Sequence, residues 1–459
     1  MVGYSVGTLN RVLVPIMVAA IALCAATVGV SAEQPKVLRF LTTETDPPSL
    51  EVYYQVIAEF QKAHPDTVVL LETATFADRV LILATQVASG VAPDVAQVNV
   101  DEIVGYARQG KLLALDDIVS RVGRQDFYPG ALIDVDGHIY ALPYAGDSDV
   151  LWVRKDLAKQ HGVVLPRNWD EWLDYARRLT LDTNGDGRID IYGTAVPASL
   201  TGKTDDVMQE ILWASGWQTF DADYRVVYDH PRSVRALEFL GRLAAYSPPG
   251  IASYSFYETL DGFASTRIAS ALYPGRMLSH LAANNPRLLE STGAMPLPAG
   301  PVLQTSYVNW NSYVVFSSTK HPEEAKAFLE FLVTGDRAIR FVNTVPGHNL
   351  PPLRSLAHDD RLRSHPLLQQ HPDIASVLFA AVEAAIPLGA AGIFDSAGNR
   401  RETFLITNPY ATATRQEVIL PQVLQMHILR NVPASEAVRW GHRELLRVKE
   451  RVDRLAPKW

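Results

Sequence analysis

Residues 182–190 have the spacing of a calcium-binding loop. Side-chain oxygens occupy loop positions one, three, five and nine, and a backbone carbonyl at position seven would complete the set; the ligands would be Asp182, Asn184, Asp186, Arg188 and Asp190. Position twelve, where a bidentate carboxylate is required, is Gly193. Calcium is therefore a candidate ligand of an incomplete site, and the alternative is an Asp-rich surface turn.

Other motifs that carry chemistry are missing. Gly202-Lys203-Thr204 is similar to the end of a phosphate-binding loop, but Pro197 stands where the leading glycine is needed. The sequence contains no GxSxG, HExxH or GxGxxG pattern, and its 12 histidines lack metal-ligand spacing. Carboxylates are plentiful, so a glycoside hydrolase, which needs only two of them, stays open as an alternative.

Length and composition predict a globular protein with more than one lobe. The chain has 459 residues, of which 47% are hydrophobic and 20% charged, whereas a domain usually holds roughly 100 to 200 residues. A net charge of -8 makes nucleic acid a poor candidate partner. With Cys24 as the one cysteine, the sequence excludes an internal disulfide framework and a thiolate zinc site.

The first 32 residues resemble an export signal. Arg11 precedes the apolar run 12–30, and cleavage would follow Val30-Ser31-Ala32, where small side chains occupy the two positions that a signal peptidase reads, so the mature chain would begin at Glu33. Retention of the run as a membrane anchor and lipidation of Cys24 are the alternatives. Leu23, directly before that cysteine, argues against lipidation.

The next segments alternate between strand and helix patterns. Apolar runs at 37–41, 68–71 and 95–98 predict strands, and the spacing of apolar residues after Ser49 and within 78–89 predicts helices. Alternation of this kind indicates an α/β fold with a mainly parallel sheet covered on both faces.

The later half is richer in helix signals. Pro322 is followed by acidic residues and by apolar residues at helical spacing to Leu332, and a second such pattern runs from Ser435 to the end of the chain. Asp136-Gly137 predicts a hairpin turn, and a helix containing Trp169 and Trp172 is expected to pack on the core.

Several segments, in order, resemble the extracellular solute-binding proteins of ABC importers, the sugar-binding family that includes maltose-binding protein. The resemblance covers about residues 37–455 and rests on FQKAHPD at 60–66, SGVAPDV at 89–95, GKLLAL at 110–115, GHIYALPY at 137–144, RKDL at 154–157, PRNWDEW at 166–172, the helix from Pro322 and the terminal helix from Ser435. Each piece alone is weak, but together in this order they are specific.

The resemblance implies a two-lobed α/β periplasmic-binding-protein fold with a ligand cleft between the lobes. The expected lobes are 36–144 with 272–316, and 145–271 with 317–459. Three interlobe crossings are expected, near 144–147, 271–275 and 315–318. Such a clamp closes by a hinge motion that the ligand favours through its contacts with both lobes.

The resemblance also suggests which residues contact the ligand. Asp147 lies at the first crossing, with Asp149 as a fallback; Trp310 and Asn311 lie before the third crossing, where Trp310 either stacks on a sugar ring or fills space. Arg276 stands where relatives often carry an aromatic residue, and it would bind vicinal hydroxyls, bind an acidic group or form an interlobe salt bridge.

Further candidates follow strand ends or match aromatic positions of relatives. Glu44 comes after the first predicted strand, and Asn99 and Asp101 come after the third, at the edge where parallel sheets bind ligands. Tyr410 matches a stacking aromatic of relatives, and Trp217 either lines the cleft or packs in the core.

The function expected from the resemblance is that of an exported, monomeric, non-enzymatic receptor. It would bind a carbohydrate, need no cofactor, bind no nucleic acid and deliver its ligand to the transmembrane subunits of an ABC permease. It would act in the periplasm or at the outer face of the membrane, free or anchored by its N-terminal segment. A sugar phosphate or a polyol is the alternative ligand, and a secreted glycoside hydrolase is the alternative activity.

Overall fold

A computed structural model describes residues 34–404 and 408–455, without the side chains of Phe76, Ala77, Val100, Asp101 and Leu455. The expected export signal, including Cys24, lies outside the described residues. No helix within these ranges combines the length and apolar character that crossing a membrane requires.

Strands and helices alternate through the first third of the chain. In chain order the elements are β1 (Lys36–Thr42), α1 (Pro47–Ala63), β2 (Thr67–Thr73), α2 (Phe76–Ala88), β3 (Val95–Val98), α3 (Val100–Arg108), α4 (Asp116–Val122), β4 (Asp134–Val135), β5 (His138–Ile139), β6 (Ala141–Asp147), β7 (Val150–Arg154), α5 (Lys155–Gln160) and α6 (Trp169–Arg178). The predicted strands and helices of this region are confirmed, and Asp136 and Gly137 form the predicted hairpin turn with positive φ between β4 and β5.

The remaining elements are mostly helices. They are α7 (Gly202–Ala214), α8 (Pro231–Ala244), α9 (Phe256–Ala264), β8 (Ser270–Tyr273), α10 (Arg276–Asn284), α11 (Pro286–Ser291), β9 (Thr292–Met295), β10 (Tyr307–Val315), α12 (Pro322–Val333), α13 (Gly335–Val342), α14 (Arg354–Ala357), α15 (Asp360–Arg363), α16 (Pro366–Gln370), α17 (Pro372–Ala384), β11 (Ile386–Pro387), α18 (Ala411–Gln416), α19 (Ile419–Ile428) and α20 (Ala434–Leu455). The helices predicted from Pro322 and near Ser435 are both present.

The first lobe is built on a mixed sheet. Strands β2, β1 and β3 are parallel neighbours, β10 runs antiparallel to β3, and β6 runs antiparallel to β10. Phe40 of β1 and Tyr53 of α1 pack against Phe328 and Phe341 of the later helices α12 and α13. Burial of these large apolar side chains joins two distant parts of the sequence into one core.

The second lobe has a smaller antiparallel sheet of order β8-β7-β9. Trp172 of α6 and Phe239 of α8 lie in its largest core together with residues of the terminal helix α20. A neighbouring core contains Trp152 of β7 together with Met277 and Leu281 of α10. The molecule is therefore a two-lobed α/β protein, as the resemblance implied.

The expected boundaries between the lobes need correction. The segment 272–295, assigned to the first lobe, contains β9, which pairs with β7, and α10, whose apolar face packs on the second-lobe sheet. The segment 322–342, assigned to the second lobe, forms α12 and α13, which pack on the first-lobe core. The chain therefore passes between the sheets at residues 148–149 and 296–306, and it leaves the first-lobe core only beyond α15.

Candidate functional site

Two of these passes lie side by side at the junction of the lobes. Strand β6 ends at Asp147 in the first sheet, and β7 begins at Val150 in the second. The linker between the two sheets is therefore only two residues long, 148 and 149, and both are buried. The Ser148 and Ser306 hydroxyl oxygens are 2.7 Å apart, which joins the first pass to the second. Polar side chains of both lobes converge at this point.

Asp147 receives its hydrogen bonds from the neighbouring strand of its own lobe. The Tyr307 hydroxyl donates to Oδ1 at 3.1 Å, and the Asn309 amide donates to Oδ2 at 3.3 Å. Side chains alternate along a strand, so Tyr307, Asn309 and Asn311 share one face of β10. Burial, followed by the negative charge of Asp206, raises the pKa of Asp147 to about 7.

Asp149 forms an ion pair with Lys203 of α7, and neither side chain is exposed. The Tyr307 hydroxyl also lies 3.4 Å from Asp149 Oδ1. The ammonium of Lys203 is 5.5 Å and 5.7 Å from the ring centres of Phe256 and Tyr273, which enclose it. Burial raises the pKa of Asp149, and the charge of Lys203 opposes that rise.

Further carboxylates of α7 lie behind this pair. Arg415 of α18 donates through Nη1 to Asp205 at 3.1 Å and to Asp206 at 2.6 Å. Glu210 accepts the backbone amide of Tyr307 at 3.0 Å through Oε1, whereas its buried Oε2 has no hydrogen-bond partner among the described residues. Burial raises the pKa of Glu210 well above its usual range.

Glu44 and Arg276 approach the same region from opposite lobes. Tyr144 donates its hydroxyl to Glu44 at 2.8 Å, and burial raises the pKa of Glu44 while the charge of Arg276 lowers it. Arg276 begins α10 and is half-buried, yet it has no hydrogen bond or ion pair with any residue that the structure describes. Burial, together with the charge of Arg276, lowers the pKa of His348 well below its usual range.

Two close backbone contacts fix the loop that carries Arg276. A Cβ on Gly275 would lie 1.7 Å from the carbonyl oxygen of Gly347, so only glycine fits there. The segment that contains Gly347 is in turn tied to β6, because Gly146 and Leu350 exchange two backbone hydrogen bonds of 2.7 and 2.9 Å. Arg276, His348 and the end of β6 are therefore held together.

The aromatic residues predicted from the resemblance lie elsewhere. Trp310 is 1% exposed in the first-lobe core, where its ring covers Gly146 and stacks on Tyr128. Trp310 therefore fills space, because side chains at even positions of β10 point away from Asn309 and Asn311. The ligand contact predicted for Trp310 therefore needs correction, because neither face of its ring is open to a ligand.

Trp217 and Tyr410 belong to the second-lobe core. Trp217 stacks on His230 with ring centres 3.6 Å apart and donates to the carbonyl of Val227. Tyr410 stacks on Phe220 and donates its hydroxyl to Asp453 at 2.6 Å. Both rings are engaged within their own lobe, so the packing contradicts the ligand contacts predicted for them.

The remaining predicted contacts lie at the edge of the first-lobe sheet. Asn309 donates to Asn311 at 3.5 Å, which places Asn311 beside Asp147. Asn99 precedes α3, and its backbone amide donates to Glu102. The contact predicted for Asp101 lies outside the described part of the structure, because the side chain of this residue is not described.

The loop from Asp182 to Asp190 uses its oxygens internally. Asp182 accepts the backbone amides of Gly185 and Gly187, and Asp190 accepts the amide and hydroxyl of Thr183. Asn184 and Asp186 likewise accept backbone amides within the loop. Across the described ranges no group of three or more His, Cys, Asp or Glu side chains could hold a metal ion.

Several residues of the junction were missed by the sequence interpretation. Lys203 was named only in the rejected phosphate-loop pattern, and Asp206 was not considered. Tyr307 and Asn309 were passed over in favour of Trp310 and Asn311. The polar-apolar alternation of YVNWN at 307–311 was a signal that could have identified the cleft-facing residues.

The two lobes also approach each other beyond the junction. Helix α18 of the second lobe lies close to α3 of the first. The first-lobe charges of Arg108 and Asp136 act in opposite directions on the pKa of Tyr224, a second-lobe residue whose pKa burial raises. Polar groups of both lobes therefore face one another in a closed arrangement.

A sequence model of the bacterial extracellular solute-binding proteins matches residues 46–335. The chain belongs to this family. "Putative ABC transporter periplasmic-binding protein YcjN" of Escherichia coli K12 is 23% identical over 395 residues, covering 82% of this chain and 87% of that protein. The mannitol-binding protein of Pseudomonas aeruginosa is 27% identical over 219 residues, covering 46% and 49%.

The fold is shared with solved structures of solute-binding proteins. Maltose-bound MalE3 of T. maritima superposes with a TM-score of 0.71 at 21% identity, covering 89% of this chain and 98% of that one. The chain is accordingly the solute-binding component of an ABC transporter.

Proposed function

We propose that this solute-binding protein captures a carbohydrate between its lobes and hands it, chemically unchanged, to the transmembrane subunits of an ABC permease outside the cytoplasm. The observation that carries the proposal is a set of polar groups from both lobes: Asp147, Asn309 and Asn311 lie together in the first lobe, and Arg276 of the second lobe acts on Glu44 of the first. Carboxylate, amide and guanidinium groups together can donate to and accept from the hydroxyls of one sugar ring.

Closure of the lobes around the solute supplies the selectivity. A ligand favours the closed arrangement only through contacts that the open arrangement lacks. Arg276 is suited to this role because its guanidinium has no partner among the described residues and can bind two neighbouring hydroxyls at once.

The second candidate ligand is a polyol. Trp310, Trp217 and Tyr410 are all engaged within their own lobes, so none offers a flat surface to a pyranose ring. A ligand held by hydrogen bonds alone can be an open-chain polyol, and mannitol is what one relative is named for binding.

A thermal-shift screen of mono-, di- and oligosaccharides, hexitols and sugar phosphates tests the proposal. A solute that binds only the folded protein at 100 times its Kd stabilises it by about 2.7 kcal/mol, and the melting temperature rises. Product analysis of each hit separates capture from hydrolysis: the proposal requires recovery of the intact solute. Turnover would favour the glycoside hydrolase, and failure of every polyhydroxylated compound would overturn the proposal.

A further inference from the structure

The side chains that meet at the junction are not balanced in charge. The cleft cluster is defined here as the carboxylates Glu44, Asp147, Asp149, Asp205, Asp206 and Glu210 with the cations Lys203, Arg276 and Arg415. It contains twice as many carboxylates as permanent cations. Burial of a carboxylate without a compensating cation is unfavourable. The positions of the three cations therefore decide which carboxylates lack a positive charge nearby.

Two of the three cations form ion pairs, and the third acts on a carboxylate without contacting it. Lys203 pairs with Asp149, and Arg415 is shared by Asp205 and Asp206. Arg276 acts on Glu44. Asp147 and Glu210 remain, and within the described ranges no Lys, Arg or His nitrogen lies within 4.0 Å of either carboxylate.

Asp147 is the one of these two that a ligand can reach. Glu210 is fully buried beneath Tyr307, whereas Asp147 ends β6 and keeps part of its surface exposed. Its present partners, Tyr307 and Asn309, donate neutral hydrogen bonds and supply no charge. The charges that act on Asp147 are those of Asp206 and Asp149, and these carboxylates make an added negative charge unfavourable and an added positive charge favourable.

We propose that the solute is a hydroxylated amine, an amino sugar or amino polyol, whose ammonium group binds Asp147. This inference rests on the proposed function, since it assigns the substrate class of the same cleft. The ammonium supplies both the N–H donors and the positive charge that Asp147 lacks, and charge-assisted hydrogen bonds of this kind are about twice as strong as neutral ones. Asn309, Asn311 and Arg276 are left to bind the hydroxyls.

Matched pairs of neutral and amino compounds test the inference on the full chain. Isothermal titration calorimetry at pH 7 and low salt would compare glucose, galactose and mannose with their 2-amino-2-deoxy counterparts, and hexitols with 1-amino-1-deoxyhexitols. We expect at least one amino compound to bind about tenfold or more tightly than its neutral partner.

Two variants locate the effect. Asp147→Asn keeps the shape and an acceptor for Tyr307 but removes the charge, so the amino preference should fall to near one. Glu44→Gln changes the carboxylate on which Arg276 acts. This variant should keep the preference for the amino compound even if it weakens the binding of both compounds. A preference that survives Asp147→Asn, or one that Glu44→Gln abolishes, would overturn the assignment.

Outcomes for the inference and for the proposed function are separable. Binding of neutral sugars as tightly as their amino counterparts would overturn the inference and leave carbohydrate capture intact. Absence of binding by every neutral and amino compound, together with a negative thermal-shift screen, would overturn both.

Discussion

Lys203 and Asp149 form an ion pair in which both side chains are completely buried, at the point where the chain first passes from one lobe to the other. Asp149 follows β6 of the first-lobe sheet, and Lys203 lies in the first turn of a second-lobe helix. The pair therefore secures the linker between the lobes to the body of the second lobe.

Removing one partner of this pair should be strongly destabilising. Lys203→Met leaves Asp149 buried without its cation, and we expect a loss of roughly 3 to 5 kcal/mol in the free energy of unfolding, measured by urea denaturation. The pair Arg225–Asp221, whose arginine is 72% exposed, provides a control, since Arg225→Met should cost much less than Lys203→Met. Equal losses in the two variants would show that burial is not the cause.

Stability should depend on pH through Asp147. Its pKa is about 7 in the folded protein against the usual 3.8, so between about pH 4 and 7 the folded chain holds a proton that the unfolded chain has lost. The free energy of unfolding then falls as the pH rises through this window. Melting temperatures at pH 5 and 7.5 should differ less in Asp147→Asn than in the parent protein. Identical differences would contradict the assigned pKa.

Arg276 should affect binding more than folding. Its guanidinium has no hydrogen bond or ion pair to lose within the described chain, so Arg276→Met should change unfolding by less than about 1 kcal/mol. Loss of its contacts with the solute should weaken binding of the compound identified by the thermal-shift screen by roughly 1 to 3 kcal/mol, measured by calorimetry.

Arg232 provides a matched control, because it is expected to affect folding and not binding. It donates to the backbone carbonyls of Gly216 and Gly398 at 2.9 Å, so Arg232→Met should lower stability without a specific effect on affinity. If Arg276→Met destabilised the protein as much as Arg232→Met, or left affinity unchanged, the assignment of Arg276 to the solute would be wrong.

Trp310 should act as a packing residue. Trp310→Ala removes a ring that covers Gly146 and Tyr128, and we expect a loss of about 3 to 5 kcal/mol in unfolding free energy. Gly146→Ala should also be destabilising, because its Cβ would lie 2.5 Å from the ring. Combining Gly146→Ala with Trp310→Leu should cost less than the sum of the single changes. Strict additivity in chemical denaturation would argue against direct contact between the two positions.

The sequence predicted local structure better than the grouping of elements into lobes. Asp136-Gly137 and Pro322 mark a turn and a helix start through backbone preferences of single residues, and both were confirmed. The helices at 322–342 are apolar on one face, which shows that they pack but not on which sheet. Their contacts with Phe40 and Tyr53 arise only when distant segments meet, so the lobe boundaries were wrong.

The cleft residues illustrate the same limit. Asp147 was identified by its place in a resembling segment, whereas the partner of Asp149 is a lysine 54 positions away whose burial no local pattern reveals. Trp310 was chosen together with Asn311 for its place before the expected third crossing, although the alternation of Tyr307, Asn309 and Asn311 indicated the opposite face of the strand. The alternation of polar and apolar residues along the strand was therefore a better guide to the cleft-facing side chains than the presence of a tryptophan.

The contact between Gly275 and Gly347 constrains how such a clamp can open. Arg276 is adjacent to that contact, and Leu350 is bonded to Gly146, next to the pass at residues 148–149, so in a rotation about that pass Arg276 would have a short lever arm. A rotation that carries Tyr224 far from Arg108 at the rim would displace the guanidinium only slightly. An incoming solute would therefore meet a cation already near its final position, and the rim would travel most of the closing distance.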